Sequence, residues 1–395
     1  MACTVEEGVV LMGVTRRTHG AARRFGAGTL AALGMMLVIA GTALAASWSA
    51  PDRLSSSGWV FQADVATMSA TRAVAAYVES DGTEGSEELW LRRTTDGGVS
   101  WGVPLLVAAH GHSPALAAEG MNVDLVWNAP SGRVRYARST DGGQTFGPAR
   151  FLSPLGRYAW RPAVARGPGG VVAVIYEDVQ NGNVAVRVST DGGVTFAPPD
   201  ILTSSGGEMG VGVAIGDGVI FAAYSVGSES LRVRRSLDSG ATWAGAMLIT
   251  NSLFEDRISI SAAGAQAYIA YTVPNDFPNF SQVRYRRTLD GGAHWSAAMD
   301  LAPDDWTTSD PDLGLAGGVL HAAFTLCVTD IDYCEANWVF YRRSMDGTTW
   351  GNPRSVPQSS LWNAYEPSVG AHRGLVTYIG EDESAIDAFA RTRQP

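Results

Sequence analysis

A short segment that recurs along the chain limits what this sequence can fold into. Residues 139–146 read STDGGQTF, and its near-copies are TTDGGVSW (94–101), STDGGVTF (189–196), SLDSGATW (236–243), TLDGGAHW (288–295) and SMDGTTW (344–350). The aspartates of these six copies recur every 45 to 56 residues, at Asp96, Asp141, Asp191, Asp238, Asp290 and Asp346. A repeat of this length is typical of β-propeller blades.

Each copy has the composition of a tight turn. A hydroxyl residue is followed two positions later by Asp, then by Gly, a small or polar residue and a terminal aromatic residue. The Asp carboxylate can accept hydrogen bonds from backbone N–H groups two or three residues ahead, and Gly can adopt a positive φ. We expect the aromatic residue to start the next strand and to be buried. The six aspartates are therefore assigned a structural role.

The residues around each copy predict four strands per repeat. A run with alternating Arg precedes each copy, as in residues 231–235, and two apolar runs lie further upstream, as in residues 115–118 and 123–127. A fourth run follows the aromatic residue, as in residues 148–152. Four short antiparallel strands per repeat make a propeller blade, so the fold class is all-β.

The two ends of the chain predict how the ring closes. Residues 366–393 contain three strand-like runs and stop where another copy of the repeat would begin. Residues 48–54 match the segment that follows a copy elsewhere, such as residues 146–152. We therefore predict that residues 47–395 form one domain of seven blades, with an N-terminal strand completing the last blade. A ring of six blades is the alternative if the final three strands are irregular.

The repeated segment resembles the Asp box, or bacterial neuraminidase repeat, S-x-D-x-G-x-T-W/F, and the chain thereby resembles the sialidase superfamily. The resemblance implies a propeller whose Asp-box turns lie on the face opposite the active site. The same repeat occurs in other glycosidases, sorting receptors and assembly factors, so it specifies fold better than function. Sialidases have six blades, and a seven-bladed ring departs from that pattern.

The first 46 residues read as a separate segment. Arg pairs at 16–17 and 23–24 precede an apolar run over residues 27–46 that ends in small residues. This layout is typical of a signal peptide, and an uncleaved signal anchor is the alternative. We expect a secreted or extracytoplasmic protein, with a membrane tether only through residues 27–46. In such a compartment Cys327 and Cys334 could form a disulfide.

Charge and residue usage exclude some partners and cofactors. The 395 residues carry 29 basic and 39 acidic side chains, for a net charge of −10. This balance argues against a nucleic-acid or anionic-membrane surface. The six His residues show no metal-ligand spacing, so we predict neither a metal nor a cofactor. The expected partner is a glycan or an extracellular protein, and the expected state is a monomer.

Aligning the repeats at the start of their first strands predicts where a ligand would bind. One residue per blade approaches the central channel, and this ring consists of Gln62, Ser113, Arg161, Gly210, Arg257, Asp310 and Glu366. The positions just before them include His112, Trp160, Asp256 and Tyr365. We predict that the ligand-binding residues are Arg161, Arg257, Trp160, His112 and Asp256. The alternative is that Arg161 and Arg257 form ion pairs with Asp310 or Glu366, and that Tyr365 packs between blades.

The resemblance to sialidases implies a more demanding site. That chemistry uses three Arg to hold the substrate carboxylate, a Tyr nucleophile activated by Glu, and an Asp as acid/base. Arg161, within WRPAV, is similar to the first Arg of the family, Arg257 could be the second, and Arg157 or Arg373 the third. The catalytic candidates are Asp310, Glu366 and Tyr365. However, adjacent residues on a strand, such as Tyr365 and Glu366, point to opposite faces.

The sequence therefore supports two functional hypotheses. The first is a secreted propeller that binds a glycan or protein partner without necessarily catalysing a reaction. The alternative is an exo-α-sialidase or related glycoside hydrolase. The incomplete set of arginines favours the first hypothesis.

Overall fold

Seven four-stranded antiparallel sheets form the blades of a β-propeller ring, as the repeat predicts. The computed structural model describes residues 5–6, 9–10 and 48–393, except 57–58, 84, 204–209, 228, 255–256, 275–280, 304–305, 330–333, 358–362, 373 and 382–384. Of residues 1–46, only Val5–Glu6 and Val9–Val10 are described, and they pair as a two-stranded antiparallel sheet. Within the described ranges, no helix is long and apolar enough to cross a membrane.

Within each blade the strands follow one another from the channel outward. Blade 1 comprises Val60–Thr67, Ala73–Glu79, Glu88–Thr94 and Leu105–Ala108. Blade 2 comprises His112–Glu119, Asn122–Asn128, Val134–Ser139 and Arg150–Phe151. Blade 3 comprises Ala159–Gly167, Val171–Asp178, Asn183–Ser189 and Asp200–Ile201, with a 3₁₀ turn at Pro168–Gly170. Blade 4 comprises Val211–Ile215, Ile220–Val226, Ser230–Ser236 and Met247–Thr250.

The remaining blades follow the same order. Blade 5 comprises Ile258–Ala263, Gln266–Pro274, Ser281–Thr288 and Met299–Asp300. Blade 6 comprises Thr307–Ala316, Val319–Thr329, Cys334–Ser344 and Arg354–Ser355. Blade 7 comprises Asn363–Val369, Leu375–Glu381, Ile386–Thr392 and, from the start of the propeller domain, Asp52–Arg53. We call the four positions the inner, second, third and outer strands.

The second and third strands account for the apolar runs and for the runs with alternating Arg in the sequence. Every residue of the second strand Ala73–Glu79 is buried, because both of its faces pack against neighbouring blades. The third strands alternate between buried and half-buried residues, as in Glu88–Thr94 and Ser230–Ser236. Their Arg side chains reach backbone carbonyls of outer segments. Arg187, for example, donates from Nη1 to Leu152 O of the preceding blade at 2.9 Å, and Arg234 donates to Leu202 O at 2.9 Å. These arginines therefore join adjacent blades.

The predicted turns share one hydrogen-bond pattern. Asp141 Oδ1 accepts hydrogen bonds from the backbone N–H groups of Gln144 and Thr145 at 2.9 and 3.0 Å, and Ser139 Oγ donates to it at 2.7 Å. Gly142 and Gly143 have φ of 73° and 77°, as predicted. The bonds reach three and four residues ahead, because the two glycines lengthen the turn. The three-residue bond agrees with the prediction, and the four-residue bond is one residue longer than predicted. In the shorter copy at 344–350 the bonds reach two and three residues ahead.

The prediction that the terminal aromatic residues are buried and start a strand is wrong. All six are half-buried, and each precedes its outer strand by four residues, as Phe146 precedes Arg150. The aromatic ring instead packs edge-on against the preceding blade. Phe196 lies 4.9 Å from Tyr136 between ring centroids, and Trp350 lies 5.4 Å from Tyr285. These rings form contacts between blades, which leaves one edge exposed.

The N-terminal strand closes the ring in the predicted way. Asp52 and Arg53 pair with Ala390 and Phe389 of the third strand of blade 7, and Leu54 is completely buried. Asp387 accepts a 2.6 Å ion-pair hydrogen bond from Arg53 and a 2.7 Å hydrogen bond from Ser55 Oγ. The last blade therefore has four regular strands, and the six-bladed alternative is excluded.

Cys327, on the second strand of blade 6, is disulfide-bonded. The Cys334 side chain lies outside the described residues, so its pairing with Cys327 stays a prediction. The cross-link lies near the end of the strand and away from the central layers of the blade. It would fasten the loop between the second and third strands.

We expect closure to control global stability. A chain lacking residues 1–54 should unfold at a temperature at least about 5 °C lower than a chain lacking only residues 1–46, because it leaves the last blade with an unpaired edge and removes buried Leu54. Calorimetry of the two truncated chains measures the difference. Equal unfolding temperatures would contradict closure by this strand.

We expect Asp141→Ala to lower the unfolding temperature by roughly 2–8 °C, because it leaves the backbone N–H groups of the turn without their acceptor. Asp217→Ala, which removes an exposed carboxylate outside these turns, is the control. Circular dichroism during heating measures both variants. An Asp141→Ala protein as stable as the control would show that the turn does not depend on its carboxylate.

Candidate functional site

A cavity of about 460 Å³ opens where the inner strands of all seven blades begin. Six of the seven predicted ring positions line it, and these are Gln62, Ser113, Arg161, Gly210, Arg257 and Glu366. The seventh, Asp310, contacts Arg257 at the edge of the cavity. We call this opening the channel mouth. It lies at the opposite end of the inner strands from the turns that join them to the second strands.

A repeated backbone irregularity builds the channel mouth. Four non-glycine ring residues adopt positive φ, namely Ser113 at 49°, Arg161 at 46°, Asp310 at 48° and Glu366 at 52°. Each precedes a Pro and lies at a register shift between the inner and second strands. Such a conformation costs of order 1–3 kcal/mol per residue and clusters at functional sites. A bulge of this kind redirects the side chain that it carries.

Arg257 of blade 5 bridges two carboxylates from the next two blades. Its Nε lies 3.0 Å from Asp310 Oδ1, and its Nη2 lies 2.5 Å from Glu366 Oε1. Burial raises the pKa of Glu366, while the positive charges of Arg257 and Arg161 counteract this shift. The alternative prediction, in which Arg257 forms an ion pair at the channel, therefore agrees with the structure. Arg257 pairs with both Asp310 and Glu366 rather than with one of them.

Arg161 is held at the channel mouth through its backbone. Its N–H donates to Asn128 Oδ1 at 3.1 Å, and Asn128 Nδ2 donates to Ala159 O at 2.6 Å. Asn128 is completely buried on the neighbouring blade, so it fixes the bulge. The Arg161 side chain is exposed and close enough to Glu366 to influence its pKa. The ring positions alone thus place two guanidinium groups and two carboxylates around one opening.

Two carboxylates of the cavity wall, Asp64 and Asp312, were not predicted from the sequence. Asp64 accepts hydrogen bonds from Ser368 Oγ and Leu116 N, both at 2.7 Å. Asp312 accepts from Ser259 Oγ and Val369 N, also at 2.7 Å. Each carboxylate therefore connects its own inner strand to those of both neighbouring blades.

The environment of these carboxylates raises their pKa values. The surrounding ring desolvates both groups, although each keeps some exposure to the cavity. Desolvation raises the pKa of Asp312 to about 6, and the negative charge of Asp64 contributes in the same direction. One sequence signal could have identified them. They stand two positions after the ring residues Gln62 and Asp310, and residues two apart on a strand share a face.

The other predicted residues lie around or outside the channel mouth. Trp160 is 42% exposed, while His112 Nε2 lies 4.0 Å from Glu87 Oε2. Tyr365 is half-buried and packs into the core between blades 7 and 1, whereas the adjacent Glu366 lines the cavity. The structure therefore does not bring Tyr365 and Glu366 together as a nucleophile and its base. Asp256 lies outside the described residues.

The structure also locates one of the two candidates for a third arginine. Arg157 Nη1 lies 2.8 Å from Asp178 Oδ2, and neither residue lines the cavity. Arg373, the other candidate, lies outside the described residues. Among the described residues, no group of three or more His, Cys, Asp or Glu side chains could hold a metal ion. The cavity thus offers hydrogen-bonding and charged groups to a polar ligand.

We expect Asp312 to make stability depend on pH. Because its folded pKa is raised from 3.8 to about 6, its contribution to stability is complete below pH 4 and is lost as the pH rises through 6. As the pH rises from 4 to 7, the free energy of unfolding of Asp312→Asn should therefore increase by roughly 1–3 kcal/mol relative to that of the natural protein.

Urea unfolding at several pH values measures this difference. Ser261→Ala, on the inner strand next to Asp312, is a control that removes a hydroxyl group without removing a titrating group. A difference between Asp312→Asn and the natural protein that does not change with pH would contradict the raised pKa.

Comparisons with known proteins identify the fold. No protein-family model and no curated protein matches the sequence. The Hadza microbial sialidase Hz136 is 15% identical with a TM-score of 0.50, and the match covers 67% of this chain and 63% of the sialidase. The chain therefore matches less than two thirds of that sialidase's length.

Two other solved structures match over most of both chains. A polysaccharide lyase of family PL25, an ulvan lyase bound to -[GlcA(1-4)Rha3S]-, has a TM-score of 0.56 at 11% identity, covering 85% of this chain and 94% of the lyase. YCF48 bound to D1 peptide has a TM-score of 0.51 at 16% identity, covering 88% of this chain and 95% of YCF48. The chain has a sialidase-like β-propeller fold with seven blades.

Proposed function

We propose that this protein is extracytoplasmic, either secreted or held at a membrane by residues 27–46, and that it binds a glycan or an extracellular protein at the channel mouth, without catalysis as its primary role. The observation that carries the proposal is the contact of Arg257 with both Asp310 and Glu366. Sialidase chemistry, as implied by the resemblance, needs three arginines directed at a substrate carboxylate. Among the described residues, the cavity is lined by two, and one of them already neutralises two acids.

The other side chains that line the channel mouth suit a polar ligand. Gln62 and Ser113 offer amide and hydroxyl groups, and Arg161 offers donors in a planar fork. Aromatic side chains at the start of the inner strands of blades 1 and 3 are exposed on the same face of the ring, with Trp59 49% exposed, Phe61 47% and Trp160 42%. Sugar rings or peptide side chains could pack on these surfaces while their polar groups bind in the cavity. The polysaccharide-bound lyase and peptide-bound YCF48 support both ligand classes equally.

An exo-α-sialidase or related glycoside hydrolase is the second candidate. Burial raises the pKa of Glu366, and a carboxyl group with a raised pKa is suited to donate a proton to a leaving group. Asp310 lies on the other side of Arg257 and could act as the second carboxylate. In this alternative, Arg161 and Arg257 would hold the substrate carboxylate. Displacement of Asp310 and Glu366 from Arg257 would have to accompany substrate binding.

We expect binding without turnover. Residues 47–395 should bind members of a glycan microarray or an extracellular peptide library and leave a fluorogenic N-acetylneuraminide uncleaved. Arg161→Ala should weaken binding to a captured probe by at least about tenfold, because a hydrogen-bonded charged group contributes roughly 1.5–3 kcal/mol. Titration calorimetry with that probe measures the change.

The matched control is Arg72→Ala, which removes an exposed guanidinium from the opposite face of the ring. Equal binding by the two variants would contradict recognition at the channel mouth. Turnover of the sialoside that Arg161→Ala abolishes would favour the hydrolase.

A further inference from the structure

The face of the ring opposite the channel mouth carries apolar side chains at the tips of three adjacent blades. Leu237, Leu289 and Met345 are 63%, 53% and 71% exposed, and each directly precedes the Asp of its turn in blades 4, 5 and 6. Blades 1, 2 and 3 carry a threonine at the same position, at Thr95, Thr140 and Thr190. We call Leu237, Leu289 and Met345 the apolar arc. Blades 1 and 3 expose a shorter apolar side chain three residues after the Asp of their turns, with Val99 57% and Val194 54% exposed, so the arc groups the longer apolar tips of this face.

The chain enters the ring on this same face, beside the apolar arc. Trp48 forms a bridge with Arg393, and Ser49 N–H donates to Thr392 O at 2.9 Å. Thr392 ends the third strand of blade 7, and in the other six blades the third strand leads into the Asp-containing turn. Residue 48 therefore lies on the face of the arc, one blade beyond Met345.

The segment that precedes this entry point is apolar. Residues 27–46 contain no charged residue, and they end two residues before Trp48. An uninterrupted apolar stretch of about 20 residues can span the hydrocarbon core of a bilayer as a helix. If this segment is retained in a membrane, so short a connection keeps the face of the arc near the lipid surface.

We propose that the apolar arc rests on an uncharged lipid surface when residues 27–46 hold the chain in a bilayer. Leucine and methionine tips can insert shallowly among lipid headgroups, which buries apolar surface without rearranging the turns. The channel mouth then points away from the membrane, toward soluble or extracellular ligands. This orientation is independent of which ligand the channel mouth binds.

The charges beside the arc determine the kind of lipid. Hydrogen bonds within the turns lower the pKa values of Asp238, Asp290 and Asp346, so these carboxylates stay ionised at neutral pH. Arg235 and Arg287 donate to Gly291 O and Asp346 O of the neighbouring turns, so positive charge offsets these carboxylates. The turns therefore carry no excess positive charge to attract anionic lipid, and the net charge of −10 disfavours an anionic surface. A second copy of the chain is a poorer occupant, because three tips separated by ionised aspartates form too small a surface for a stable interface.

The experiment uses the full chain reconstituted in phosphatidylcholine nanodiscs, with and without bromine on the lipid acyl chains. Bromine quenches nearby tryptophan fluorescence, and each turn of the arc ends in a half-buried tryptophan, at Trp243, Trp295 or Trp350. Trp48→Phe is introduced into every protein compared, because the position of Trp48 next to residues 27–46 would cause quenching whether or not the arc contacts lipid. We expect quenching of the natural protein, and at least a twofold smaller effect for the triple variant Leu237→Thr, Leu289→Thr, Met345→Thr. Threonine occupies this position in three other blades, so the turns should still fold.

Leu155→Thr is the matched control, because it removes an 85% exposed leucine from a loop on the channel-mouth face. It should leave quenching unchanged, and replacing part of the phosphatidylcholine with phosphatidylglycerol should reduce it. Equal quenching of the natural protein and the folded triple variant would overturn the proposal. So would an unquenched natural protein, or lipid-free dimers in sedimentation experiments that the triple variant dissociates.

Discussion

The pairing of residues 52–53 with the third strand of blade 7 is the constraint on which the ring depends. Six blades are each built from one continuous stretch of chain, whereas the seventh needs strands from both ends of the domain. Leu54 packs into a core shared by blades 7 and 1, beside Tyr77 and Ala388. We call the junction between the N-terminal part of the domain and the C-terminal strands of blade 7 the seam. Because the chain is not covalently continuous across the seam, packing and hydrogen bonds there must resist opening. Its stability therefore limits the integrity of the whole ring.

The geometry of the channel mouth also depends on contacts across the seam. Asp64 of blade 1 accepts a hydrogen bond from Ser368 of blade 7, so one of the cavity carboxylates spans the seam. Arg257 joins blades 5, 6 and 7 on the other side of the last blade through Asp310 and Glu366. The strained backbone at the ring positions is tolerated because neighbouring blades fix it from both sides. The same contacts that complete the fold thus position the groups that would contact a ligand.

The sequence predicted the blade count, the four-strand pattern and the closing strand, because repeated turns and alternating strands depend on local chemistry. It also identified the ring of channel residues, since equivalent positions in equivalent blades share a location. It did not identify the bulges at the ring positions or the carboxylates Asp64 and Asp312, which depend on contacts between blades. The prediction that the aromatic residues of the turns are buried was wrong for the same reason, because their burial depends on packing against the preceding blade. Whether Arg257 would bind one acid or two required distances that no repeat alignment contains.

Native-state hydrogen exchange at the seam tests the central claim most directly. The Leu54 N–H donates to Ala388 O at 2.8 Å, and its exchange reports opening of the closing segment. If closure holds the ring together, this amide should exchange with the same free energy of opening as the amide of Val174 in the core of blade 3. A markedly lower free energy of opening at Leu54, with Val174 still protected, would contradict the account. The ring would then remain folded without its closing strand.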